Sequence, residues 1–86
     1  MDSYEIVFAR TARKELESIG KKFSDRILKK IELLQYDPRP LGCEKIKGDD
    51  NLWRIRIGNY RVIYAIYDKE KLVDVSVIRH RKDAYR

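Results

Sequence analysis

Arg54, Arg56 and Arg61, followed by Arg79, His80, Arg81, Lys82 and Tyr85, are the residues of this sequence best suited to chemistry. A guanidinium is planar and permanently charged, and it pairs with phosphate oxygens two at a time. Fixed on strands, such groups can hold a phosphate and stabilise the extra charge of a phosphorane-like transition state. Arginine stays protonated, so a proton acceptor must come from elsewhere. Tyr85 is a candidate base because surrounding cations favour the phenolate. His80 is the other candidate, since its unperturbed pKa is nearest neutrality. The bland alternative is a solvated sheet face whose arginines pair with Asp74 and the Asp49–Asp50 pair. Other chemistries lack their residues. One histidine and one cysteine, Cys43, make no metal site. Neither a glycine-rich phosphate loop nor a G-x-S-x-G elbow occurs. The expectation is therefore a site with no metal and no cofactor.

The elements that must position these groups follow from periodicity. Tyr4–Phe8 alternates and is rich in β-formers, which predicts a short strand. Thr11 is placed to cap a helix lined by Ala12, Leu16 and Ile19 and stopped at Gly20. Ser24 is placed to cap a second helix, with Ile27, Leu28, Ile31 and Leu34 at helical spacing. The run Asp37-Pro38-Arg39-Pro40 ends it. Residues 41–50 read as a loop. From Leu52 the apolar period changes to two, predicting strands over Leu52–Ile57, Tyr60–Tyr67 and Leu72–Arg79, with a hairpin turn at Gly58-Asn59 and a second turn over Asp68–Lys71. The order β-α-α-β-β-β implies one α+β domain over residues 1–86, a helical hairpin packed on an antiparallel sheet.

These turns fix a register. Arg56 faces Arg61, Trp53 faces Tyr64, Tyr64 faces Val75 and Val62 faces Val77. One face then carries Trp53, Ile55, Ile57, Val62, Tyr64, Ile66, Val73, Val75 and Val77, and is the core face. The other carries Arg54, Arg56, Arg61, Ile63, Ala65, Asp74, Ser76, Ile78 and His80. Tyr60 and Tyr64 thus face the core, so packing explains them better than base stacking. Opposed like charges destabilise a sheet. Gathering arginines on one face costs stability without local benefit, as happens at functional sites.

Composition agrees. The 86 residues suit a single domain. A net charge of +6 lies mostly in residues 45–86, where eleven basic residues meet six acidic ones, and this suggests a polyanion or an acidic protein as partner. No apolar run approaches the roughly 20 residues that span a bilayer, and Met1–Glu5 holds two acids and no basic segment, unlike a signal peptide. With a single cysteine, the expected location is cytoplasmic.

The stretch from Leu52 to Tyr64 resembles the central hairpin of the RelE/ParE toxin superfamily, as do Ile46-Lys47-Gly48 and the tail from His80 to Tyr85. The resemblance implies a toxin of a type II toxin–antitoxin pair, with a fold similar to small microbial ribonucleases. Toxins of the RelE branch cut mRNA in the ribosomal A site, using the RNA 2′-hydroxyl as nucleophile without a metal. By position, Arg61 and Arg81 match the arginines that bind the scissile phosphate and assist the leaving group. Tyr85 matches the C-terminal tyrosine, with His80 the second choice of base. Arg54 and Arg56 stand where the best-known enzymes of the branch have lysines. Lys47, Arg54, Arg56, Arg79 and Lys82 are the expected phosphate-binding residues. The implied partners are the ribosome, mRNA and a cognate antitoxin, whose acidic or amphipathic segment covers the basic face or packs beside the helical hairpin. Two alternatives stay open: a DNA gyrase inhibitor, as in the ParE branch, and a non-catalytic ribosome- or RNA-binding module.

Overall fold

The computed structural model describes residues 3–82. Strand β1 (Glu5–Phe8) leads into helices α1 (Arg10–Ser18) and α2 (Lys21–Glu32), and a 3-10 turn (Leu33–Gln35) follows. Then come β2 (Glu44–Lys45), β3 (Leu52–Ile57), β4 (Tyr60–Tyr67) and β5 (Leu72–His80), in a five-stranded sheet of order β1-β5-β4-β3-β2. The two helices pack on one face of this sheet, as the α+β reading expects. Two features differ from it. The sheet is mixed, because β1 runs parallel to β5. Residues 44 and 45, read as loop, add a fifth strand antiparallel to β3.

The parallel pairing has a simple origin. The helical hairpin brings the chain back to where it began, and the Tyr4 backbone N–H donates to the Gln35 carbonyl at 2.8 Å. Two antiparallel turns later, β5 also starts from that end, so it runs alongside β1.

The helix starts also depart from expectation. Ala9, not Thr11, precedes α1, and its N–H donates to the Val75 carbonyl on β5. The Thr11 hydroxyl donates instead to the Ser76 carbonyl, at 3.2 Å. Helix α2 opens directly after Gly20, whose φ of 101° suits a residue without a Cβ and allows the tight α1–α2 corner. Ser24 lies within the first turn of α2 and donates back to the Lys21 carbonyl. Gly20 ends α1 as expected, and Ala12, Ile27, Ile31 and Leu34 are buried.

The β3–β4 register is the expected one, from Ile57↔Tyr60 through Arg56↔Arg61 to Trp53↔Tyr64. Gly58 has φ of 60°, and Lys71 is the one non-glycine among the described residues with positive φ, so the Gly58-Asn59 turn has the signs of type II′. Between β4 and β5 the register shifts: Tyr64 faces Val75 as expected, but Ile63 faces Val77 and Val62 faces Ile78. Ser76 is the extra residue, a β-bulge whose carbonyl Thr11 engages. Everything after it changes sides. Ile78 enters the core at 2% exposure, and Val77 turns to the outer face. Arg79 moves opposite Arg61, and His80 moves opposite Tyr60.

Tyr64 is fully buried in this core, and its hydroxyl donates to the Pro38 carbonyl at 2.8 Å. Burial pushes its phenol well above the ordinary range. At the end of the sheet where β1 starts, Asp68 gathers a bidentate pair from Arg39 (2.9 and 3.2 Å) and the Tyr4 hydroxyl (2.6 Å). Arg39 also stacks over the Trp53 ring, 5.1 Å from its centroid. Arg39, then Tyr4, hold the Asp68 carboxyl at about 2, below its usual 3.8, and Tyr4 is correspondingly raised by Asp68. A depressed carboxylate stabilises the fold above its unfolded pKa, and this contribution disappears as pH falls through the folded value. Wild type is therefore expected to lose a stability increment between about pH 4 and pH 2 that Asp68→Asn lacks. Thermal melts of both proteins across that window measure the difference.

Candidate functional site

The side chains on the face of the sheet away from the helices are set by the register. Arg56, Arg61 and Arg79 face one another across β3, β4 and β5 in a single row. Neighbouring strands lie roughly 4.8 Å apart, so three like charges rise from adjacent positions. The row is open to solvent: Arg56 and Arg79 are exposed and Arg61 is half-buried. Among the described residues no carboxylate pairs with Arg56, Arg79 or Arg81.

Beyond the end of β5, the Arg81 backbone N–H donates to the Asn59 carbonyl at 2.6 Å. This bond ties the chain to the β3–β4 turn and brings Arg81 beside the row. Arg56, Arg61 and Arg81, with Gly58, Asn59 and Tyr60, line a cavity of about 190 Å³ at the hairpin tip. Three arginines from three segments thus line one hollow the size of a ribose phosphate. An anion there relieves their repulsion and accepts paired N–H bonds.

The other expected residues divide. Arg54 shares the face, one pleat further from the tip, and is engaged by Glu44 on β2 at 3.0 Å. Its Nε is buried without a hydrogen-bond partner among the described residues. Lys82 is exposed next to Arg81, with its backbone N–H donating to His80 Nδ1 at 3.2 Å. Lys47 lies in the exposed turn between β2 and β3, at the end of β3 opposite the arginine pocket, and is not brought to it. His80 corrects the expectation that it shares the arginine face. The bulge turns it to the helix side, where its ring meets Tyr60 edge-on at 5.0 Å. Tyr85 lies outside the described residues. The alternative, pairing with Asp74 or Asp49–Asp50, is absent for Arg54, Arg56 and Arg79 among the described residues; Asp50 pairs with Lys45 at 3.9 Å. Among the described residues no three His, Cys, Asp or Glu side chains are grouped to hold a metal, and no helix is long and apolar enough to cross a membrane.

The sequence reading missed the Asn59 carbonyl and, although it named Arg79, the placement of that residue opposite Arg61. The Asn59 carbonyl, which seats Arg81, leaves no sequence signature. Arg79 did leave one: strict alternation after Val73, Val75 and Val77 puts it on the apolar face, a conflict that only a bulge resolves.

Comparison with known proteins identifies the family and the fold. Residues 6–85 match the family described as the ParE toxin of type II toxin–antitoxin systems, parDE. The chain is 33% identical to Toxin RelE3 of Methanocaldococcus jannaschii over 85 residues, 94% of each chain. Its fold is similar to that in the archaeal RelE–RelB complex of Pyrococcus horikoshii, with a TM-score of 0.82 and 30% identity over 92% of this chain and 96% of that one. It is also similar to isolated E. coli RelE, with a TM-score of 0.79 and 24% identity over 91% of this chain and 84% of that one, which bears on the fold alone.

Proposed function

The chain belongs to the ParE toxin family of type II toxin–antitoxin systems, within the RelE-like superfamily, and we propose on that basis that it is a metal-independent endoribonuclease that cuts mRNA in the ribosomal A site. The observation that carries the proposal is the convergence of Arg56, Arg61 and Arg81 on one cavity, with Arg79 in the same row. In the proposed reaction the RNA 2′-oxygen bonds to the neighbouring phosphorus as the bond to the 5′-oxygen breaks. The 2′-proton passes to a base, and the departing 5′-oxygen takes up a proton from solvent water. Arg61 and Arg81 bind the non-bridging oxygens, where charge builds up in the transition state. Arg56 and Arg79 hold the adjoining backbone. Tyr85 is the proposed base, on the resemblance alone. His80 is the poorer choice, because it is turned to the other side of the sheet from the arginines.

The proposed partners are the ribosome, mRNA and a cognate antitoxin, in the cytoplasm; the RelE–RelB complex of Pyrococcus horikoshii supports the last of these. The test is to add the protein to a translation extract and map mRNA 5′ ends. Cuts confined to ribosome-bound message support the proposal, and intact message overturns it. The match to a family described by its ParE toxin favours a second reading, inhibition of DNA gyrase. Loss of supercoiling activity without mRNA cleavage selects that reading.

The row also ranks its members. Arg54→Ala is expected to weaken RNA binding less than Arg56→Ala, because Glu44 already neutralises Arg54. Removing one cation from a phosphate lowers the salt dependence of binding by about one unit of slope. Titrations at several salt concentrations should show that drop for Arg56→Ala and little change for Arg54→Ala.

A further inference from the structure

A second hollow lies across the hairpin from the arginine pocket. Its volume is about 220 Å³, enough for a nucleobase, and it is lined by Phe23, Arg26 and Ile27 from α2 together with Ile57, Gly58, Asn59, Tyr60 and His80. Gly58, Asn59 and Tyr60 line both hollows, so the turn is the wall between them. Residues consecutive in sequence straddle that wall: Tyr60 and His80 on the helix side, Arg61 and Arg81 on the other. Phe23 is 53% exposed and is not part of the apolar core. The Tyr60 and His80 rings stand at 86° to each other and form an aromatic corner of the same hollow. Arg26 adds a cation at the rim.

From this we propose that the Phe23–Tyr60–His80 hollow is a nucleobase subsite, taking a base adjacent to the phosphate held by Arg56, Arg61 and Arg81. The inference rests on the RNA-cleaving reading and deepens it by locating a base-reading element. Every base has a π-face, and aromatic walls bind it by stacking, while a nearby arginine adds a cation–π contribution. A cationic pocket just across the turn favours a nucleotide chain over a protein segment, because each phosphate needs a base-sized space next to it. The side-chain positions also divide the labour: the outer face grips charge, and the inner side of the tip meets rings.

The test uses the full chain and two RNA trinucleotides made uncleavable by 2′-deoxy substitution, one complete and one lacking its bases. Binding is followed by NMR titration of wild type, Phe23→Ala and Arg61→Ala. Wild type should bind the complete trinucleotide more tightly than the abasic one. Phe23→Ala should weaken the complete trinucleotide roughly tenfold and leave the abasic one within twofold. Arg61→Ala should weaken both alike. Equal affinity of wild type for the two trinucleotides overturns the subsite, as does a Phe23→Ala protein that keeps the preference. If Phe23→Ala instead abolishes binding of a co-expressed antitoxin and leaves RNA binding intact, the hollow is a protein-docking surface and the proposal is overturned. If Arg61→Ala changes neither affinity while the Phe23 effect persists, the phosphate reading fails and the base subsite stands.

Discussion

Replacing Arg81 with alanine is expected to slow mRNA cleavage about a hundred- to a thousandfold, the usual loss when one donor to a developing oxyanion is removed. The fold should survive the change. Arg81 is exposed, and the bond that seats it runs from its backbone N–H to the Asn59 carbonyl, which alanine retains. The loss should therefore fall on the chemical step, with an unchanged melting temperature. Arg61→Ala is expected to act similarly, since Arg61 lines the same cavity from β4. Arg81→Lys should recover only part of the rate, because an ammonium supplies charge without the paired geometry of a guanidinium. Single-turnover cleavage on programmed ribosomes, with 5′-end mapping, measures all three. Cleavage at the wild-type rate in Arg81→Ala removes the pocket from the mechanism.

The largest stability effect is expected at Tyr64. Its side chain is fully buried, and its hydroxyl satisfies the Pro38 carbonyl. Truncation to alanine leaves a ring-sized void and should cost about 3–5 kcal/mol, as other aromatic truncations do. A domain of 86 residues has a total stability of roughly 4–13 kcal/mol, so the variant is expected to lose a large share of it. Tyr64→Phe separates the two contributions. It keeps the packing and deletes the hydrogen bond, which should cost about 1 kcal/mol. Urea titrations of the two variants give the comparison; similar midpoints for both would show that the void collapses.

Much of this architecture was legible because local signals were consistent. The Gly58-Asn59 turn and the alternation on either side of it each specify the same register, and the structure has it from Ile57↔Tyr60 to Trp53↔Tyr64. The helical faces were legible for the same reason. What failed depended on tertiary competition. Thr11 and Ser24 are good caps by residue type, yet Thr11 spends its hydroxyl on the β5 bulge, and α2 begins earlier because Gly20 allows the corner. The two-residue β2 carries too little pattern to be seen. At the candidate site, strict alternation put His80 with the arginines and gave Val77 the place that Ile78 holds. Two adjacent β-branched residues, Val77 and Ile78, fit either phase of a strand, so hydrophobicity alone could not choose. The charge of Arg79 could have, since no core accepts an unpaired guanidinium.

The bond from Arg81 to Asn59 also governs how the protein should be handled. Arg81 sits at the lip of the arginine hollow, whereas Tyr4 is fastened to Asp68 at the far end of β4, about 25 Å away at the usual rise per residue. A bulky label attached at Lys82, the neighbour of Arg81, therefore sits beside the cations and masks them. One attached near Tyr4 sits at the opposite end and leaves the hollow unobstructed.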